Sequence, residues 1–420
     1  MSSKAIEQKR PNPWWVGLVS GMASYIDSCA IISSGLALTV YQLELGLSNT
    51  EFGFLSSGLT FAIAVGALLG GRLGDKYGRK PVFAVTMAFI VIGALLLIFT
   101  RTFALLLVGM LLVGAGTGAD LPVSLATISE ACTDDNRGKI IGLSNLLWTI
   151  GIVASQAVGA LVGDWGYIGG QIMFGHVFVI ATIVLMLRMT IPESHVWLAA
   201  RASSNGSSTA KVASIFDLLH GRYAKPFIAL VLFYSLVNLG ANTNGQFNTW
   251  VNVNIIGMAV SLSSVINLVL YFVQMLFNVV FMKYVDTPKR MPLFYFGAIC
   301  FVGSYLVYPI FGFSTTTFIA YMLINSIGAP FAFEGIMKVW AQESFPTLLR
   351  TTAQGGIVAI ARFAAAIVGS FTASLIALSP SGAYVGLACF VAVGFAFAIW
   401  GFHGKRGAEF ASEHASGMTA

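Results

Sequence analysis

Charge is what this sequence has least of. Lysine, arginine, aspartate and glutamate make up 10% of its 420 residues, while 57% are hydrophobic; a soluble domain carries about a quarter charged residues. So little charge cannot cover a water-facing surface, so the surface faces something apolar, a bilayer. Cysteine is sparser still. Cys29, Cys132, Cys300 and Cys389 are scattered, which excludes a disulfide framework and shows no metal spacing. There is no phosphate-cradling glycine loop with lysine, no paired-histidine metal helix and no nucleophile elbow. His176, His195, His220, His403 and His414 are dispersed, and no polar stretch is long enough to hold a separate catalytic domain. These absences argue against an enzyme, and no cofactor or metal is implied. No cleavable leader is expected. The polar start "MSSKAIEQKRPNP" runs into an apolar segment, Trp14 to Val40, longer than a signal-peptide core, which holds Asp27 and no clear small-x-small site. That segment is expected to be retained.

What is present is apolar sequence in regular blocks and abundant glycine (45 residues), as expected where helices pack closely in lipid. Twelve apolar segments fall at about 14–40, 50–71, 81–99, 103–130, 138–163, 168–190, 226–256, 262–284, 291–312, 315–342, 352–378 and 381–402. With both termini in the cytoplasm, nearly every lysine and arginine lies in a cytoplasmic loop, tail or helix end, as the positive-inside rule requires. Arg101, Lys338 and Arg362 are the exceptions. The net charge of +6 is therefore topology rather than a nucleic-acid patch. A multi-pass plasma-membrane protein is expected, in a bacterium an inner-membrane one, working as a monomer.

The chain repeats itself. "GRLGDKYGRK" (71–80) follows the second segment and "KYVDTPKR" (283–290) the eighth, with Asp75 and Asp286 211 residues apart. Glu130 precedes Arg137 by seven residues after the fourth segment; Glu343 precedes Arg350 by seven after the tenth, and the two glutamates are 213 apart. A near-constant offset marks two six-helix halves related as parallel repeats. The expected divisions are 1–191, a first six-helix bundle; 192–225, a Ser/Gly/Ala-rich cytoplasmic linker; 226–404, a second bundle; and 405–420, a cytoplasmic tail. The fold class is an all-α membrane protein with twelve transmembrane helices.

"GGRLGDKYGRKP" resembles the signature loop of the major facilitator superfamily. "PESHVWL" (192–198) and "WAQESFPTLLRTTAQG" (340–355) are similar to motifs of its sugar porter branch after helices six and ten. The resemblance implies the major facilitator fold, alternating access, and a cytoplasmic salt-bridge gate. The residues expected in that gate are Asp75, Arg79, Lys80, Glu130, Arg137, Glu193, Asp286, Arg290, Glu343 and Arg350. A simpler reading is that these charges only set topology, but that needs Lys and Arg and not the paired acids.

Five ionisable residues lie well inside apolar segments: Asp27, Asp120, Glu334, Lys338 and Arg362. Each costs at least ~2.5 kcal/mol at a helix centre, so such residues are expected to line a cavity. Asp27 lies about 20 Å along the helix from Trp14. Its context resembles the proton-carrying aspartate of proton-linked sugar porters, although Met110 stands where the branch often has the arginine that partners it. Asp120 and Glu334 sit at matching depths in the two halves and are expected to face each other across the pseudo-axis, sharing a proton or cation. The alternative is that each is simply paired. Lys338 and Arg362 replace positions that the branch gives to sugar-stacking aromatics, which points to an acidic group on the solute. For Lys338, snorkelling or pairing with Glu334 is the competing reading; for Arg362 it is a fixed pair with Glu334 or Asp120.

Helix seven, "NLGANTNGQFNTWVNVN", is rich in amides able to match hydroxyls. Asn242 and Gln246 share a face and are the expected solute contacts, unless they serve as interhelical glue. Trp148 and Gln156 on helix five are added by the resemblance. The expectation is a proton-coupled carrier of a sugar, inositol or sugar acid. A non-sugar organic anion, drug export, and a transporter-like sensor that binds without translocating are the alternatives.

Overall fold

The computed structural model describes residues 12–131, 137–194, 198, 218–219, 221–285, 287–345 and 347–403. All described elements are helical. They run in chain order as α1 (Pro13–Leu45), α2 (Asn49–Tyr77), α3 (Arg79–Phe99), α4 (Phe103–Ala131), α5 (Arg137–Val162), α6 (Tyr167–Met189), α7 (Ala224–Asn254), α8 (Val260–Tyr284), α9 (Arg290–Phe311), α10a (Thr315–Ala332), α10b (Glu334–Ser344), α11 (Thr347–Leu378) and α12 (Pro380–Phe402). Eleven of the described spans are long and apolar enough to cross a membrane; within α5 the described apolar stretch is the shorter Leu146–Val162. Large apolar side chains such as Leu161 (74% exposed), Ile299 (73%) and Leu378 (85%) point off the bundle. Such a belt suits acyl chains.

Local chemistry sets the helix ends. α1 opens on Pro13, with the Asn12 side chain accepting from the Trp14 amide at 2.9 Å. It closes on Gly46 in the left-handed region (φ +69°), where a Cβ would be strained. α2 begins with a reciprocal capping box of Ser48 and Glu51. The tenth segment departs from the sequence reading, which makes it one helix over 315–342. It breaks at Phe333 (φ −118°, ψ −120°), three residues after Pro330.

The repeat is visible in which helices pack together. α1 packs on α5 and α6, and α7 on α11 and α12; α2 packs on α4, and α8 on α10a; α3 packs on α4 and α6, and α9 on α10a and α12. Each pair recurs six helices later. Between the halves the contacts are α1 with α7, α2 with α11, and α5 with α8. The last two are mates under the same six-helix shift, so the interface carries the pseudo-symmetry too. Within the first half, Gly114 and Gly118 on α4 lie against the α2 backbone, where any side chain would overlap Leu59 or Ile63. Close backbone approach of this kind is the usual basis of helix packing in lipid.

A candidate solute and proton site between the halves

The break in the tenth segment positions an ionisable cluster. Phe333 stacks on Tyr234 of α7 (5.4 Å between centroids, 20°) and on Phe301 of α9 (6.0 Å, 26°). This sandwich holds the chain out of helical geometry, and the helix restarts at Glu334. Tyr234 is 2% exposed and lies within electrostatic reach of Glu334, Arg362 of α11 and Asp27 of α1. Asp27 is buried, and Glu334 and Arg362 are half-buried. Three of the five charges singled out in the sequence thus gather around one tyrosine where α1, α7, α10b and α11 meet. Glu334 also occupies the first turn of α10b, where the positive end of the helix dipole favours a carboxylate. Among the described residues, Arg362 Nε and the buried Asn238 Oδ1, one turn along from Tyr234, have no hydrogen-bond partner.

α7 presents amides on two faces with different duties. Asn244, Asn248 and Asn252 form an i,i+4 ladder, with Nδ2-to-Oδ1 bonds of 2.8 and 2.9 Å. It extends to Asn325 of α10a (3.3 Å), and to Ser263 (2.7 Å) and Asn267 (3.3 Å) of α8. This face is interhelical glue inside the second half. The other face carries Asn242 and Gln246. Gln246 Nε2 donates to Asn242 Oδ1 (2.8 Å) and to Thr60 Oγ1 of α2 (2.6 Å), and Gln246 Oε1 accepts from Ser56. Gln246 is therefore committed to the opposite half in this conformation, and contact with a solute requires those bonds to exchange.

Gln156 acquires a partner helix. α5 and α8 run antiparallel, with Gly163 against Val260 and Gly159 against Ser264; that register brings Gln156 opposite Asn267. Gln156 Oε1, Asn267 Oδ1, Asn252 Oδ1 and Ser264 Oγ are all buried and lack partners among the described residues. Of these, Asn252 and Asn267 already belong to the α7–α8 ladder through their amide nitrogens, whereas Gln156 Oε1, on α5, is a buried acceptor left open to a donor. Trp148, two turns before Gln156, is half-buried and packs against the core.

Asp120 does not face Glu334. Its carboxylate pairs with Arg188 of α6, and each side chain is 1% exposed. Thr86 Oγ1 donates to Asp120 Oδ1 at 3.2 Å, Arg188 also donates to Ser124 Oγ (3.0 Å) and the Ser20 carbonyl (3.3 Å), and its guanidinium lies 4.4 Å from the Phe83 ring centroid. The pair is enclosed by α1, α3, α4 and α6 of one half, which corrects the expectation of a shared central proton.

Part of the expected gate lies among the described residues. Arg79 pairs with Glu130 at 2.6 Å, and Glu193 accepts from the amides of Arg79 (2.9 Å) and Lys80 (3.2 Å). Glu193 thereby caps α3, whose own N-cap, Gly78, has no side chain to do so. These contacts join the start of α3 to α4 and to Glu193, just past α6. Arg290 donates to the Val285 carbonyl in the loop before α9. Asp286 and the side chains of Asp75, Arg137, Lys338, Glu343 and Arg350 lie outside the described residues.

Among the described residues, further polar links between the halves lie at the face opposite these charged loops. Gln42 Oε1 of α1 accepts from Trp250 Nε1 and, at 3.5 Å, from Asn254 Nδ2 of α7. Thr50 and Ser374 hydroxyls meet at 3.3 Å, and Asp164 binds Ser261. The sequence reading misses Tyr234, Phe333 and Arg188. A proline inside an apolar run followed by an acid four residues later was the available signal for the break.

Comparison with known proteins follows this geometry. The Major Facilitator Superfamily pattern matches residues 14–370. The chain is 29% identical over 370 residues to the minor myo-inositol transporter IolF of Bacillus subtilis, covering 86% of this chain and 83% of that one. It is 25% identical to the cis,cis-muconate transport protein of Acinetobacter baylyi, covering 91% of each. The inward open structure of the xylose transporter XylE from E. coli superposes with a TM-score of 0.75 at 20% identity, covering 95% of this chain and 98% of that one. A D-xylose-proton symporter structure superposes equally well, at 18% identity over 92% and 96% of the two chains. At these identities the structural likeness is one of fold.

Proposed function

The chain belongs to the Major Facilitator Superfamily, and from that premise we propose that it is a proton-coupled carrier of a small polar, sugar-like solute: an inositol, a sugar or a sugar acid. The observation that carries this reading is the polar face that α7 turns to the other half, where Gln246 bonds Asn242, Thr60 and Ser56, together with the buried Gln156 Oε1 of α5, which has no donor among the described residues. A polyhydroxylated solute brings hydroxyl donors to such an oxygen, and leaving it unmatched is costly. A relative matching most of the chain carries myo-inositol in its name, which supports the same class.

The proton arm is assigned to Asp27 first and Glu334 second. Both act electrostatically on Tyr234, and an acid set inside a membrane span is by default a functional one. Asp120 is left out because its pair with Arg188 is buried in one half. With the charged loops in the cytoplasm, this conformation is closed on the outside by the Gln42, Thr50 and Asp164 links. Asp75, Arg137, Asp286, Glu343 and Arg350 are then the residues to close the cytoplasmic side in the other half of the cycle.

The test is uptake of labelled myo-inositol into liposomes containing the purified protein, with and without an inward proton gradient. Gradient-driven accumulation is expected. Asp27→Asn is expected to retain exchange and lose accumulation; accumulation at the parental level would move coupling to Glu334. Absence of uptake for myo-inositol, neutral sugars and sugar acids alike would end the sugar-like reading. A second reading, a non-sugar organic anion, has one observation in its favour: the Arg362 Nε without a partner, in a chain whose relatives include a cis,cis-muconate transport protein.

A further inference from the structure

We propose that Asp164 is a conformational gating residue at the face opposite the charged loops, acting as a helix cap supplied by one half of the protein to the other. α8 starts without the means to cap itself. Its N-cap is Ala259, with no side-chain acceptor, and its first turn holds no acid. Asp164, in the loop between α5 and α6, fills that role: its carboxylate accepts from the Ser261 amide at 3.3 Å and from the Ser261 hydroxyl. A carboxylate at a helix N-terminus satisfies open amides and meets the positive end of the dipole. Donor helix and acceptor loop belong to different halves, so the cap exists only while the halves touch here.

The pseudo-symmetry supplies a control within the molecule. Under the six-helix shift α8 corresponds to α2, and α2 is capped in its own half by the Ser48–Glu51 capping box, with a Ser48 Oγ to Glu51 amide distance of 3.2 Å. Only α8 of this pair depends on the partner half. The approach beneath the cap is tight. A Cβ on Gly163 would come within 2.7 Å of the Val260 side chain and 2.9 Å of the Ser261 nitrogen, and one on Gly159 within 2.6 Å of Ser264 Oγ. Glycine therefore lets the two backbones close until the carboxylate reaches the amide. The other links on this face, Gln42 with Trp250 and Thr50 with Ser374, are bonds between side chains. The Asp164 link ties the integrity of a helix end to closure.

The inference requires only that the halves separate at this face, and it is independent of which solute is carried. Ser57 on α2 is 6% exposed and lies against Gly369 of α11, beneath the closed face, so a cysteine there reports opening. In a background with the four native cysteines replaced by serine, Ser57→Cys is labelled in liposomes with a membrane-impermeant maleimide. Asp164→Ala is expected to raise the labelling rate on the order of five-fold, the size of one lost cap, while Asp164→Asn, still a good cap, stays near the parent. Adding Ala259→Ser to Asp164→Ala restores a cap within the second half but not the link between halves. Labelling that remains fast while thermal stability recovers supports the gate. Labelling that returns to the parental rate with the Ala259→Ser cap, or that never changes in Asp164→Ala, overturns it.

Discussion

Arg188, near the end of α6, turns back into the first half to bond Asp120 of α4, and both side chains are 1% exposed. Asp120 Oδ2 and Arg188 Nε have no partner among the described residues, so the pair is enclosed but not saturated. Removing one member of such a pair strands the other charge in a low-dielectric interior, which typically costs about 3–5 kcal/mol. Arg188→Ala and Asp120→Ala are each expected to lower the melting temperature sharply. The double variant is expected to lose less than the sum of the two. Full additivity in melting experiments would show that the two charges are not coupled, and transport lost without loss of stability would return Asp120 to the proton path.

Glu193 gives a prediction of opposite character. Its carboxylate caps α3 through the Arg79 and Lys80 amides at 2.9 and 3.2 Å, and Arg79 is held by Glu130. These partners lie on α3, α4 and the segment just past α6. Glu193→Ala is therefore expected to cost about 1 kcal/mol of stability, the usual value of a lost cap, and to leave the labelling of Ser57→Cys unchanged. A several-fold change in that labelling would mean that the motif reaches across to the other half after all.

Much of the fold was legible because lipid makes sequence explicit. Every span must satisfy its own backbone, so apolar length translates directly into helices. The near-constant offsets from Asp75 to Asp286 and from Glu130 to Glu343 exposed a repeat that the packing of α1–α6 and α7–α12 reproduces. The site was half legible. Asp27, Glu334 and Arg362 stood out because charge is rare in lipid, and they do gather around Tyr234. Tyr234 itself could not be singled out, since a tyrosine in an apolar run looks like any core aromatic. Arg188 was hidden by position: at the end of a span it reads as an interfacial anchor, and only the tertiary fold turns it inward. Gln156 and Asn267 are 111 residues apart, and nothing local announces the antiparallel register that brings them together.

Gln246 is the amide most committed to the interface, bonded to Ser56, Thr60 and Asn242 at once. Two of those partners are on the other half, so its bonds must break whenever the halves part on that side. Gln246→Ala removes an acceptor and a donor and leaves the buried Ser56 hydroxyl without its acceptor, while Thr60 keeps its bond to the Ser56 carbonyl. Combined with Ser56→Ala in a double-mutant cycle, a coupling of about 1 kcal/mol in thermal stability is expected. A coupling near zero would mean that the Ser56 bond does not hold the closed conformation together.

Arg362 decides between the two solute classes. Its Nε has no partner among the described residues, and its charge reaches Tyr234 together with those of Glu334 and Asp27. A guanidinium so placed either balances the two nearby acids or receives an anionic group from the solute, and the two roles differ under mutation. If it balances the acids, Arg362→Ala impairs uptake of neutral inositol and of acidic solutes alike. If it receives an anion, uptake of an acidic solute falls at least tenfold while a neutral polyol is spared, because losing a charge-assisted bond costs about 1.5–3 kcal/mol only where the charge on the solute exists. Arg362→Lys sharpens the test: it keeps the charge but loses the planar fork that binds carboxylates at two points. Parental uptake of an acidic solute by Arg362→Ala would remove the argument for an anion, and the carrier would then be assigned to neutral polyols.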